Sequence, residues 1–217
     1  MQPLGTLTSR ERIKLAARQE LSDSGILGLR MEVVAEKAKV SVPLIYKYYK
    51  NREGLLTEVL SELYDGDSYE KLAAYVEVFE QMESPTIDDI AVLFATVQQG
   101  FRSLDRWRRL QILAASAEIP ELRTRLAAIH LDQQQRVVDF LEIAIRAVGS
   151  KNPETTEESI SAAVALALPL ASLIMTQSFG SVLDDLVDYE DREAAAEDMK
   201  VLLRLIINAV LTTWNKS

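Results

Sequence analysis

The sequence predicts an all-α protein of about nine helices, with a small N-terminal helix-turn-helix domain (1–54) and a larger C-terminal helical domain (55–217). Three observations support this. Glycine (8) and proline (6) are few among 217 residues, while Ala, Leu, Glu and Arg are abundant, a balance that favours helix. Apolar residues recur at helical spacing, as Ile13, Ala17 and Leu21 do. No long run alternates apolar with polar residues, as a half-buried strand would.

Taken in order, Ser9 can cap a first helix that runs to about Ser24, where Gly25 and Gly28 punctuate its end. A short second helix, about Glu32 to Ala38, buries Val34, Ala35 and Ala38. After a tight turn at Lys39-Val40, Ser41 can cap a third helix that carries three tyrosines. Two short helices joined this closely, behind a longer bracing helix, make a helix-turn-helix. The next helix is expected from Glu53 to Met82, interrupted near Gly66. Thr86 caps another from Ile87 to about Ser103, with Asp88 and Asp89 in its first turn. Asp105 to Ala117 and Pro120 to Val148 follow, then the linker GSKNPETTEES. Two last helices, about Glu154 to Ser178 and Asp191 to Trp214, complete the pattern.

Composition narrows the function classes. The absence of cysteine excludes disulfides, zinc–thiolate sites and thiol nucleophiles. There is no glycine-rich phosphate loop, no HExxH and a single histidine, His130, with no partner cluster around it in sequence. The paired carboxylates Asp88-Asp89 and Asp184-Asp185 read as loops or helix starts. An all-α enzyme would have little to work with, so no catalytic residue, metal ligand or cofactor is expected. The segment MQPLGTLTSRERIK has no apolar core of the signal-peptide kind, and Ile160 to Met175 is broken by Ser161, Pro169 and Ser172. A soluble, cytoplasmic protein with no membrane partner is expected.

The net charge of −9 is unevenly spread. Residues 1–52 carry ten Lys/Arg against five Asp/Glu, whereas 53–217 carry fourteen against twenty-eight. A basic head on an acidic body suggests a phosphate-binding module joined to something else. The boundary falls at VSVPLIYKYYKNREGLL, in which Tyr46, Tyr48 and Tyr49 interleave with Lys47, Lys50 and Arg52. On a helix, Ile45 and Tyr49 point inward together, which leaves Leu44, Lys47 and Tyr48 outward and Tyr46 on the flank. Cations and tyrosine hydroxyls suit DNA phosphates, while the N-terminal part of such a helix can approach base edges in the major groove.

The run GILGLRMEVVAEKAKVSVPLIYKYYKNREGLLTEVL resembles the DNA-binding motif of the TetR family of bacterial transcriptional regulators. The residues that carry the resemblance are Ala35, Ala38, Val40-Ser41, Tyr46, Tyr48-Tyr49, Arg52 and Leu55-Leu56. It implies a DNA-contacting set of Arg30, Ser41, Val42, Pro43, Leu44, Tyr46, Lys47, Tyr48, Lys50 and Arg52. Within it, Val42, Pro43 and Leu44 face bases, and Lys47 is the candidate for a guanine's acceptors. Three positions depart from the family pattern. Met31 stands where a threonine or serine often caps the second helix, a loss of about 1 kcal/mol. Lys39 stands where the turn usually has glycine, and Pro43 restrains Val42 away from helical angles.

The resemblance further implies a homodimer that binds an operator DNA, acts as a repressor and responds to a small apolar or aromatic effector. Candidate pocket residues are Phe94, Gln98, Phe101, Trp107, Gln111, Met175 and Phe179; plain core packing is the bland alternative for each. Candidate dimer-interface positions are Ala163, Ala167 and Ala171, with Leu202, Ile206 and Val210 in the last helix; burial within one subunit is the alternative there. Arg106, Trp107, Arg108 and Arg109 form a second basic-aromatic cluster, expected as a solvated face beside a buried tryptophan. A rival reading is an interaction protein whose helix-turn-helix packs on another protein.

Overall fold

The computed structural model describes residues 7–66, 76–79, 81–92, 103–151, 153, 155–180, 201 and 204–205. These fall in two compact units: Met1–Gly66 with Gln111–Ile129, and Asp67–Leu110 with His130–Ser217. Among the described residues every regular element is a helix, so the fold class is all-α.

The first unit begins with α1, Ser9–Gly28. Its cap is Thr8, one residue earlier than expected: the Thr8 hydroxyl accepts from the Glu11 amide while the Glu11 carboxylate accepts from the Thr8 amide at 2.7 Å. Gly25 interrupts the helix at φ 71°, a conformation that glycine adopts without a Cβ penalty, and one further turn reaches Gly28. Then come α2 (Met31–Ala38), α3 (Val42–Tyr49) and α4 (Arg52–Asp65), which ends before Gly66 as expected. Ile13 and Ala17 of α1, Val34 of α2, Ile45 of α3 and Leu55, Leu56 and Val59 of α4 are fully buried. These side chains exclude water from the head.

Charge aligns α1 on α4. Arg10, Lys14 and Arg18 rise along α1 at four-residue intervals, and Glu58 and Glu62 do the same on α4. Arg10 pairs with Glu58 at 2.8 Å, while Lys14 and Arg18 share Glu62 at 2.6 and 2.9 Å. Glu58 also receives Arg125 at 3.3 Å. Partly exposed pairs contribute little singly, but a shared ladder fixes the register of two helices.

Helices α5 (Ser103–Ala115) and α6 (Pro120–Lys151) follow, then α7 (Glu157–Val164) and α8 (Ala167–Gly180). Among the described residues of the second unit an apolar cluster forms in which Phe79 meets Phe140 edge-on at 5.7 Å amid Ile90, Leu141, Ile145, Leu170 and Ile174. Thr86 and Asp89 form the expected start of a helix, the Thr86 amide donating to Asp89 at 2.8 Å. That helix is described only as far as Val92.

One expected helix is two. The segment taken as continuous from Glu154 to Ser178 breaks at Ala165-Leu166. In an unbroken helix the Pro169 ring would strike the carbonyl four residues back, that of Ala165, so the break falls where the clash would. The stretch Glu157–Thr176 is long and apolar enough to cross a membrane by length and composition. Its Ala163, Ala167, Leu170, Ala171 and Ile174 nevertheless belong to the core cluster of the second unit.

Candidate nucleic-acid interface

The recognition surface is built from the turn outward. α2 starts at Met31, so its cap position is Arg30, one residue before the one expected; Arg30 makes no side-chain cap bond, and Met31 is buried as the first helical residue. Arg30 is left projecting: its side chain is 70% exposed, and its Nε lies 3.9 Å from Glu20. Lys39 closes α2 in the left-handed region at φ 54°, as expected. Its amide donates to Glu36 at 3.1 Å and the Val40 amide to Ala35 at 3.0 Å, so the last carbonyls of α2 are satisfied.

Ser41 precedes α3 in extended backbone and makes no side-chain cap bond, so its exposed hydroxyl is uncommitted within the described structure. Pro43 sits in the first turn, where a missing amide costs nothing. The helix divides as the sequence implied: Ile45 and Tyr49 are buried, Tyr46 and Tyr48 are each 44% exposed, and Lys47 and Pro43 are exposed. Val42 and Leu44 are half-buried, less open than expected for an apolar tip.

Tyr49 fixes the underside of the helix. Its hydroxyl donates to the Arg10 carbonyl at 3.4 Å, and the Arg10 guanidinium lies 5.8 Å from its ring centre. Burial pushes its hydroxyl above the ordinary tyrosine value, partly offset by Arg10. Tyr48 leans on it with ring centres 6.3 Å apart. The outer tyrosine is thus held by the inner one.

Arg52 departs from the expected phosphate role. Its Nε donates to the Leu29 carbonyl at 3.0 Å, and its Nη2 to Ile26 and Leu27 at 2.6 and 3.1 Å. The guanidinium therefore ties the start of α4 to the end of α1 rather than reaching outward. Sequence reasoning missed this because free carbonyls at the kinked end of α1 leave no signature of their own. Next to Arg52, Asn51 caps α4 by accepting from the Gly54 amide at 2.7 Å. A Cβ on Gly54 would lie 2.1 Å from the Tyr49 carbonyl oxygen, so this corner requires glycine.

Most cations of the head are engaged internally. Lys37 pairs with Glu20 and Asp23, both at 2.7 Å, and its hydrogen bonds hold both carboxylates below their usual range. Arg10, Lys14, Arg18 and Arg125 are in the α1–α4 ladder. Among the described residues, Lys39, Lys47 and Lys50 make no side-chain hydrogen bond or ion pair, and all three are exposed. Lys39 was weighed only as a turn residue in the sequence, not as a contact.

Residues 13–59 match the model of the bacterial regulatory proteins of the TetR family. The match spans the helix-turn-helix and is confined to the head. Solved structures with this fold cover nearly the whole chain. GusR of Salmonella enterica shares 16% identity over 97% of each chain, with a TM-score of 0.57. A Rhodococcus sp. regulator assigned to the TetR family shares 22%, covering 94% of this chain and 98% of its own, at 0.54. The multidrug binding protein EbrR, solved with imidazole, shares 17%, covering 95% and 97%, at 0.58. No curated protein matches the sequence.

The other expected sites are less gathered. Phe94, Gln98 and Phe101 lie outside the described residues, as does the side chain of Phe179. Trp107 and Met175 are half-buried members of the second unit, whereas Gln111 is exposed and belongs to the first. Arg109 donates to the buried Gln133 at 3.3 Å, so it is not on a purely solvated face; Arg108 is exposed. Ala163, Ala167 and Ala171 are at most 3% exposed and are packed in the subunit's own core. Small side chains closed inside one chain cannot face a second. Leu202, Ile206 and Val210 lie outside the described residues.

Proposed function

We propose that the protein is a DNA-binding transcriptional regulator of the TetR type, a dimeric repressor released from a palindromic operator by a small apolar or aromatic effector. One observation carries the reading: the outer face of α3 presents Tyr46, Lys47 and Tyr48 beside an uncommitted Ser41 hydroxyl, on a helix whose inner face is locked by Ile45 and Tyr49. Tyrosine hydroxyls, Ser41 and flanking lysines hold phosphates, and Lys47 with the Val42–Leu44 tip reads bases in the major groove. Arg30 at the start of α2 adds a further phosphate contact.

Two heads supply two half-sites, which is how so small a reader gains specificity. The face proposed for the partner subunit is the one that α8 leaves outward, with Leu168 and Leu173, together with Val201 and Leu205, all exposed. Effector binding in the second unit, with Trp107 and Met175 among its walls, favours a dimer geometry that no longer fits the operator. A cytoplasmic location and the absence of enzymatic activity follow from this reading. Selection of bound sequences from a random duplex pool at near-physiological salt tests it. Recovery of a palindrome with two half-sites is the expected result; a folded protein that recovers no preference would favour the protein-interaction reading.

A further inference from the structure

Among the described residues only two non-glycines have positive φ, Lys39 at 54° and Lys50 at 64°. They bracket α3, one three residues before it and the other immediately after. Lys39 occupies the left-handed closing position of α2, where glycine is the residue without penalty. Lys50 is at ψ −52°, and the Asn51 amide donates across it to the Tyr49 carbonyl at 2.7 Å. That is a γ-turn of the rare positive-φ kind, strained for any residue with a side chain. Both lysines are exposed; their amides close the helices before them, but neither side chain makes a hydrogen bond or ion pair among the described residues, so no side-chain contact offsets the strain. Strain of this kind persists where the side chain serves a function the backbone does not need.

The charge pattern points to that function. Acidic side chains of α1 and α4 take up Arg10, Lys14, Arg18 and Lys37, and carbonyls take up Arg52. Among the described residues of the head, the free ammonium groups are those at the two ends of α3 and Lys47 on its face. We propose that Lys39 and Lys50 form a phosphate clamp on duplex DNA, gripping the sugar–phosphate backbone at either end of the recognition helix without reading sequence. The proposal rests on the DNA-binding reading above, adds Lys39 to its contacts and pairs it with Lys50, both at positions where a glycine would fold better.

The test uses the full-length chain, its selected duplex and a mixed-sequence duplex. Lys39→Gly and Lys50→Gly should each raise Tm by about a few degrees, because strain is released. Each should also weaken both duplexes about three- to tenfold and flatten the salt dependence by about one phosphate contact per protomer. Lys39→Gln and Lys50→Gln keep the strain and lose the charge, so affinity should fall alike with no gain in Tm. Lys39→Arg should keep affinity. Glycine variants that gain stability and bind both duplexes as tightly as the parent would overturn the clamp while leaving the regulator reading intact. A parent chain that binds neither duplex would overturn both.

Discussion

Arg52 shows how one side chain can be assigned to the right motif and the wrong task. Its place in the TetR pattern was legible, but its three carbonyl acceptors, Ile26, Leu27 and Leu29, were not. They depend on α1 kinking at Gly25 and on where its end then falls, which local spacing does not specify. Arg52→Ala should therefore cost about 2–3 kcal/mol in stability, the scale of charge-assisted hydrogen bonds to groups left without a partner. Its effect on the salt slope of DNA binding should be small once the protein is folded, and Lys in its place should restore only part of the stability. Denaturant titration paired with binding at several salt concentrations separates these. By contrast, the inward Ile45 and Tyr49 and the outward Lys47 and Tyr48 were readable, because an eight-residue helix with two buried positions four apart has one way to face its core.

At the scale of elements, helix existence was legible and continuity was less so. The Thr86–Asp89 start and the stop before Gly66 came from capping chemistry that acts within a few residues. The division between α7 and α8 was missed because Pro169 was weighed only against a membrane span, although its ring excludes the carbonyl of Ala165 from an unbroken helix. The alanines at 163, 167 and 171 showed close helix packing, and only the structure shows that the packing is internal. The ionic ties among α1, α2 and α4 give the head a pH signature. Lys37 hydrogen bonds lower Glu20 and Asp23; burial pushes Glu62 up, but Lys14 and Arg18 outweigh it and hold it low. A lowered carboxylate contributes stability above its unfolded value of about 4, and that contribution is lost as pH falls through the folded value. Lys37 is raised by Asp23 and Glu20, so its contribution is present below about 10.4 and is lost as pH climbs through its folded value. Thermal melts should thus show a plateau near neutrality with a fall on each side. Lys37→Ala should lower Tm at pH 7 and shrink the acid limb; an unchanged acid limb would show these pairs to be inert.

In the whole molecule a head with a well-specified motif is joined to a body whose sequence carries no comparable one. The helix-turn-helix is legible because the packing of its short helices fixes the spacing of its buried residues, whereas a ligand pocket can be lined by any apolar side chains that fill it. The exposed Leu168, Leu173, Val201 and Leu205 are the account's dimer contacts. Leu168→Glu combined with Leu205→Glu should convert the dimer to monomer by sedimentation and weaken operator binding by about a hundredfold or more, since a single half-site remains. Retained helicity would exclude simple unfolding, and an unchanged mass would place the interface elsewhere.

Parallel selections from one random duplex pool, with the parent chain and with Lys47→Ala, decide whether the outer face of α3 reads DNA. Both should recover a palindrome of the same half-site spacing, and the variant should become degenerate at one G·C position in each half-site while the rest of the motif persists. Identical motifs from the two proteins, or a uniform loss across all positions, would contradict base reading by Lys47 and the placement of α3 in the groove.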